Sequence, residues 1–160
     1  MKILSACLLV FASTFAFADS VTLPASPVVV DFFNSSQIVG SRFAIHMDGT
    51  VEHTERTCCP PVTHAVSETP LTKAEMGNVL GLISNSATGI ILIQLGSATA
   101  LGSQAGYLRA YEGSVEVTIL DVERSTKGPG GRNLVNENQA PAAKALRTLV
   151  EKYVANPLIP

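Results

Sequence analysis

Two short segments of the chain share one pattern, and that pattern limits the fold more than any other feature. RFAIHMDGTVEHT, beginning at Arg42, and GYLRAYEGSVEVT, beginning at Gly106, align without gaps 64 residues apart. Phe43 matches Tyr107, Asp48-Gly49 matches Glu112-Gly113, and Val51-Glu52 matches Val115-Glu116. In each, a glycine able to take positive φ sits between two extended runs, which is the signature of a β-hairpin. Each hairpin is followed by a helical pattern, so the order reads strand, hairpin, helix, strand, hairpin, helix. The fold class expected is α+β: an antiparallel sheet with two amphipathic helices on one face, built as a pseudo-repeat of two ββα units.

The other elements follow from local signals. Val28 to Phe33, VVVDFF, is β-branched and aromatic and reads as a strand. Thr72 and Glu75 form a capping box at a helix start, with Leu71 and Met76 placed as a hydrophobic staple. Met76, Val79, Leu80 and Ile83 then make one helical stripe, interrupted only by Gly77 and Gly81, which weaken it and suggest close packing on a sheet. Gly89 to Leu95, GIILIQL, has no polar helical positions and reads as a buried strand. Pro141 to Ala155 reads as a second helix with Leu146, Leu149, Val150, Tyr153 and Val154 as its stripe, ended by Asn156-Pro157. TCCPPVTHAVSETP, after the first hairpin, reads as a long loop because Pro60-Pro61 cannot lie in mid-sheet. RSTKGPGGRNLVNEN reads as a flexible loop from its Gly and Pro content.

Register decides which side chains face inward. In the second hairpin a turn at Glu112-Gly113 pairs Tyr111 with Ser114. It groups Leu108, Ala110, Val115, Val117 and Ile119 inside, and Arg109, Tyr111, Glu116 and Thr118 outside. In the first, a three-residue loop, Met47 to Gly49, groups Phe43, Ile45, Val51 and His53 inside. It leaves His46, Thr50, Glu52 and Thr54 facing solvent. A shift by one residue would exchange the faces, so the exposure of His53 stays open at the level of sequence.

The N-terminus reads as a secretory signal peptide: a basic Met1-Lys2, an uncharged apolar run from Ile3 to Phe17, and Ala16-Phe17-Ala18 as the small-x-small cleavage site. The run is about 15 residues, short of the roughly 20 that span a bilayer. Leu4-Ser5-Ala6-Cys7 resembles a lipoprotein box, but too few residues precede it for a hydrophobic region. The expected layout is residues 1–18 removed by cleavage near Ala18-Asp19, 19–27 an irregular lead-in, 28–156 a single α+β domain and 157–160 a tail. The protein is thus expected outside the cytoplasm, periplasmic or secreted. A bacterial host is favoured, although Asn34-Ser35-Ser36 would be a glycosylation sequon in a eukaryote. With a formal charge of −2, the chain offers no basic stripe for nucleic acid. Beyond residue 18 the longest apolar run, GIILI, is too short to span a membrane.

All 3 histidines, and both cysteines outside the N-terminal run, fall between His46 and His64. Three readings compete. His53, Cys58, Cys59 and His64 supply the ligand types of a tetrahedral zinc or copper site, yet adjacent cysteines depart from the usual spacing of two to four residues. In an oxidising compartment Cys58 and Cys59 are instead candidates for a strained vicinal disulfide, with intermolecular bridging and free thiols as the alternatives. The plainest reading makes the histidines ordinary strand and loop residues. No nucleophile elbow, zinc-protease helix or phosphate loop is present, and the carboxylates are scattered. The chain is expected to be non-enzymatic and to use no cofactor. It would bind an unknown protein or small ligand through loops such as Thr57 to Thr69 and Arg124 to Asn138. The alternative is a redox- or metal-responsive protein acting through Cys58-Cys59.

The stretch VVVDFFNSSQIVGSRFAIHMDGTVEHT, continued by PLTKAEMGNVLGLIS, resembles small exported bacterial hairpin-helix domains, emfourin-type inhibitors of metalloproteases among them. The shared outline is a strand, a glycine-containing link, a D-G-T-V hairpin and a capped helix, over about half the chain that follows the signal. The resemblance implies an inhibitor-like binding role. The chain departs from it at NSSQIVG, at the inserted Cys-Cys-Pro-Pro and in its signal peptide, and no inhibitory residue carries over.

Overall fold

The computed structural model describes residues 26–35, 39–57, 60, 62–95, 105–124 and 133–154. Along the chain these form β1 (Val28–Ser35), β2 (Val39–His46), β3 (Val51–Thr57), β4 (Val62–Val66), α1 (Lys73–Ser86), β5 (Ile91–Leu95), β6 (Ala105–Glu112), β7 (Val115–Arg124), β8 (Asn133–Asn138) and α2 (Pro141–Val150). The strands make one 8-stranded sheet in the order β4-β3-β2-β1-β6-β7-β8-β5. Every neighbouring pair is antiparallel. The architecture is therefore α+β. None of the described helices is long and apolar enough to cross a membrane.

Residues directly opposite one another share a face of a sheet. One line of such partners crosses all the strands: Val66, His53, Phe43, Phe32, Leu108, Leu120, Glu137, Leu92. Beside it run Val51, Ile45, Val30, Ala110 and Val117. This face holds the core. Its buried residues form one cluster with Met76, Val79 and Ile83 of α1 and Ala143, Leu146 and Val150 of α2. The ring of Tyr153, just past α2, stacks 5.0 Å from that of Phe43. Bulges in the β1–β2 and β6–β7 pairs turn extra residues inward, so Val29 and Val30, and likewise Ile119 and Leu120, are all buried.

Both hairpin glycines take positive φ, 87° at Gly49 and 62° at Gly113. The first hairpin closes over Met47 to Gly49, with the His46 amide bonded to the Thr50 carbonyl. Gly49 also lies against the chain entering α1. Its carbonyl accepts from the Leu71 amide at 2.9 Å, and a Cβ here would stand 2.7 Å from the Leu71 carbonyl oxygen. The capping box is complete: the Thr72 hydroxyl accepts from the Glu75 amide, and the Glu75 carboxylate accepts from the Thr72 amide.

Several expectations need correction. The loop after the first hairpin contains β4, an exposed edge strand, because the prolines precede the strand instead of interrupting it. The Gly-rich loop ends in β8, which contributes only Val135 to the apolar core and so carries little apolar signal. The second turn is Gly113-Ser114, pairing Glu112 with Val115. The register thus moves by two and the faces survive, but Val115 lies exposed at the tip. The apolar run Ile91 to Leu95 is an exposed edge strand, not a buried one. His46 is buried, because Ser26-Pro27 lies over it: its Nδ1 is 2.6 Å from the Ser26 carbonyl oxygen. Helix α2 ends at Val150, and a turn carries Tyr153 and Val154 onward. Gly77 and Gly81 face open space, so close packing does not explain them.

Candidate functional site

His53 sits on β3 at 5% exposure, edge-on to Phe43. Its Nδ1 is 2.8 Å from Glu68 Oε1 and its Nε2 is 2.7 Å from Glu55 Oε1. The other Glu55 oxygen accepts the Ser41 hydroxyl at 2.7 Å. A neutral imidazole has one N–H and one lone pair, whereas carboxylates only accept. Two carboxylates on one ring therefore require two protons among the three groups. Such charge-assisted bonds tie β3 to the segment leaving β4. The order differs from that of a nucleophilic triad, in which the imidazole takes the serine proton: here the Ser41 hydroxyl donates to the Glu55 carboxylate, and His53 lies beyond it.

Two of the four expected metal ligands, His53 and His64, fall among the described residues. Both ring nitrogens of His53 are occupied by carboxylates. His64 lies on β4 opposite Glu55 and is exposed. Cys58 and Cys59 lie outside the described residues, and with them the expected vicinal disulfide. Among the described residues, no group of three or more His, Cys, Asp or Glu side chains is placed to hold a metal ion.

The outer face, away from the core, carries a second line of partners across the sheet: Ala65, Thr54, Arg42, Phe33, Tyr107, Asp121, Asn136, Ile93. Its centre is aromatic and charged. The Tyr107 hydroxyl donates to Asp31 at 3.1 Å, and Phe33 lies 5.8 Å from the Tyr107 ring. The Arg109 guanidinium stands 4.3 Å over that ring and reaches Glu116 at 3.5 Å and Asp121 at 3.7 Å. Partial burial, then the negative charge of Asp31, hold the Tyr107 phenol above its ordinary value. Burial and Glu116 do the same for Tyr111.

Next to this cluster the face dips. A depression of about 210 Å³ is lined by Phe33, Gly40, Arg42, Thr54, Arg56 and Thr63, among others. Gly40 lies opposite Ser35 on one side and Arg56 on the other, so the missing side chain opens the floor. A Cβ there would come within 3.1 Å of the Asn34 carbonyl oxygen. Arg42 is shared with a second depression, lined by Ala44, Glu52 and Thr54. Neither Arg42 nor Arg56 forms an ion pair among the described residues. Glu52, which lines that second depression, reaches His46 at 3.3 Å.

Two cationic forks beside an aromatic ring, with hydroxyls from Thr54 and Thr63 in the same lining, make a site suited to an anion with an apolar body. Reading the sequence did not find it. Alternation around Phe43 was enough to turn Arg42 outward, but Arg56 lies just before the stretch read as loop, which begins at Thr57. The expected contact loops, Thr57 to Thr69 and Arg124 to Asn138, contain β4 and β8 instead, although Thr63 of β4 does line the depression. Compared with family models, curated proteins and solved structures, the chain matches none.

Proposed function

We propose that the protein is an exported, non-enzymatic binding domain whose outer sheet face receives a small anion with an apolar body. On this reading the two helices cover one face, and the two halves are related hairpin-helix units, each extended by a strand. The opposite face is then left for ligand. The observation that carries the proposal is the depression at Gly40, where Arg42 and Arg56 form no ion pair among the described residues and lie beside the exposed ring of Phe33. A carboxylate would be held by guanidinium forks and its apolar part by Phe33. Calorimetric titration with benzoate, and with benzamide as its uncharged counterpart, tests this. Benzoate is expected to bind and benzamide to bind at least tenfold more weakly. Arg42→Gln and Arg56→Gln should each weaken benzoate by about tenfold, the lower part of what a charged hydrogen bond contributes. Equal binding of the two probes, or full affinity in the double variant, would count against the site.

A further inference from the structure

The second open feature is the sheet edge formed by β5. Every residue from Ile91 to Leu95 is exposed, and the strand has no charge and no proline. Natural edges normally carry such guards against pairing with another chain. The opposite edge, β4, follows Pro60-Pro61 and includes Thr63 and His64. Strand β5 has nothing comparable.

The hydrogen-bonding polarity of this edge follows from one bond. The Ile90 carbonyl accepts from the Gln139 amide at 2.9 Å, so the backbone groups of Ile90 turn toward β8. Backbone direction alternates along a strand, and the β5–β8 register continues from that point, with Leu92 opposite Glu137 and Gln94 opposite Val135. Leu92 and Gln94 therefore pair with β8. Ile91, Ile93 and Leu95 turn their N–H and C=O groups away from the sheet, and their side chains lie on the outer face.

We infer that β5 pairs antiparallel with β5 of a second copy of this chain, about a twofold axis at Ile93. This places Ile93 opposite Ile93, and Ile91 opposite the second copy's Leu95. All three residues belong to the outward-turned set, so this register pairs each of their N–H and C=O groups, which face no neighbouring strand among the described residues. On the outer face it stacks only aliphatic side chains across the junction, and on the other face Leu92 meets the second copy's Gln94. A strand without charge has nothing to steer a different partner, whereas a twofold contact needs only self-complementarity. The two sheets become one continuous sheet, and its outer face runs across both subunits. One strand pair is small beside a standard interface, so the dimer is expected to dissociate on dilution.

Sedimentation velocity of the purified protein, from low micromolar to near-millimolar concentration, tests the inference. The expected result is a monomer–dimer equilibrium without larger species. Ile93→Lys sets two like charges directly opposite each other and should shift the equilibrium toward monomer at least tenfold. The side chain at 93 is already 66% exposed, so the variant should keep the wild-type circular dichroism and melting temperature. Residue-resolved amide exchange provides the second readout. Amides of Leu92 and Gln94 should be protected at every concentration, and those of Ile91, Ile93 and Leu95 only in the dimer. A monomer throughout the range, a dimer unaffected by a folded Ile93→Lys variant, or Ile93 protected in the monomer would each overturn the inference.

Discussion

Asn138 shows how much one polar side chain can fix. It is 2% exposed at the end of β8. Its amide nitrogen donates to the Ser86 carbonyl at 3.0 Å and to the Thr118 carbonyl at 3.1 Å, and its amide oxygen accepts from the Ala140 amide at 3.0 Å. The end of α1, strand β7 and the entry to α2 thus meet on one residue. Asn138→Ala would strand those groups, and urea unfolding should show a loss of about 3 kcal/mol; a loss below about 1 kcal/mol would mean that other groups or water take over. Tyr107 gives a prediction in pH. Its phenol is raised above 10.0 in the folded protein, so folding favours the neutral form. The associated stability is fully present below the unfolded value and is lost as pH rises through the folded one. Tyr107→Phe cannot ionise there, so its stability should fall less steeply than wild type above about pH 10. Identical alkaline slopes would show that Tyr107 does not contribute. Tyr111, raised in the same direction, leaves a residual slope in the variant.

Among the elements, α1 has the clearest local signal and the least explained composition. Its capping box and its buried stripe of Met76, Val79 and Ile83 follow directly from sequence. Gly77 and Gly81 have nothing within 4 Å of a Cβ position. Each should therefore cost helix stability without a packing return. Gly77→Ala and Gly81→Ala are each expected to stabilise by about 1 kcal/mol in urea unfolding, and destabilisation by either would reveal a contact that α1 makes elsewhere. Strands β2, β6 and β7 were legible because one face of each is apolar and alternation shows it. Strands β4 and β8 were not, because β4 buries no apolar side chain and β8 only Val135. For β5 the error had a different origin. An apolar run announces a strand, but only long-range pairing decides whether that strand lies inside a sheet or at its edge. Here the pairing with β8 puts it at the edge. The candidate site was hidden for a related reason. Its lining comes from four strands brought together by register, and Gly40 matters only because Ser35 and Arg56 flank it.

At the scale of the whole molecule, one sheet separates two chemistries. The core face buries aliphatic and aromatic side chains together with the His53 cluster, which occupies its β3–β4 end. The outer face keeps Phe33, Arg42, Arg56, Tyr107 and Arg109 in partners across β1, β2, β3 and β6. A chain with formal charge −2 would not concentrate anions by its overall field. Binding must then come from the local pair of arginines, and it should weaken as salt screens them. We propose that ligand binds on this face, at the Gly40 depression. Amide chemical-shift mapping during benzoate titration tests it most directly. The largest shifts are predicted at Gly40, Arg42, Thr54 and Arg56, saturating along one binding curve and abolished in the Arg42→Gln/Arg56→Gln variant. Shifts centred on the helices or on the His53 cluster, or unchanged in that variant, would contradict it.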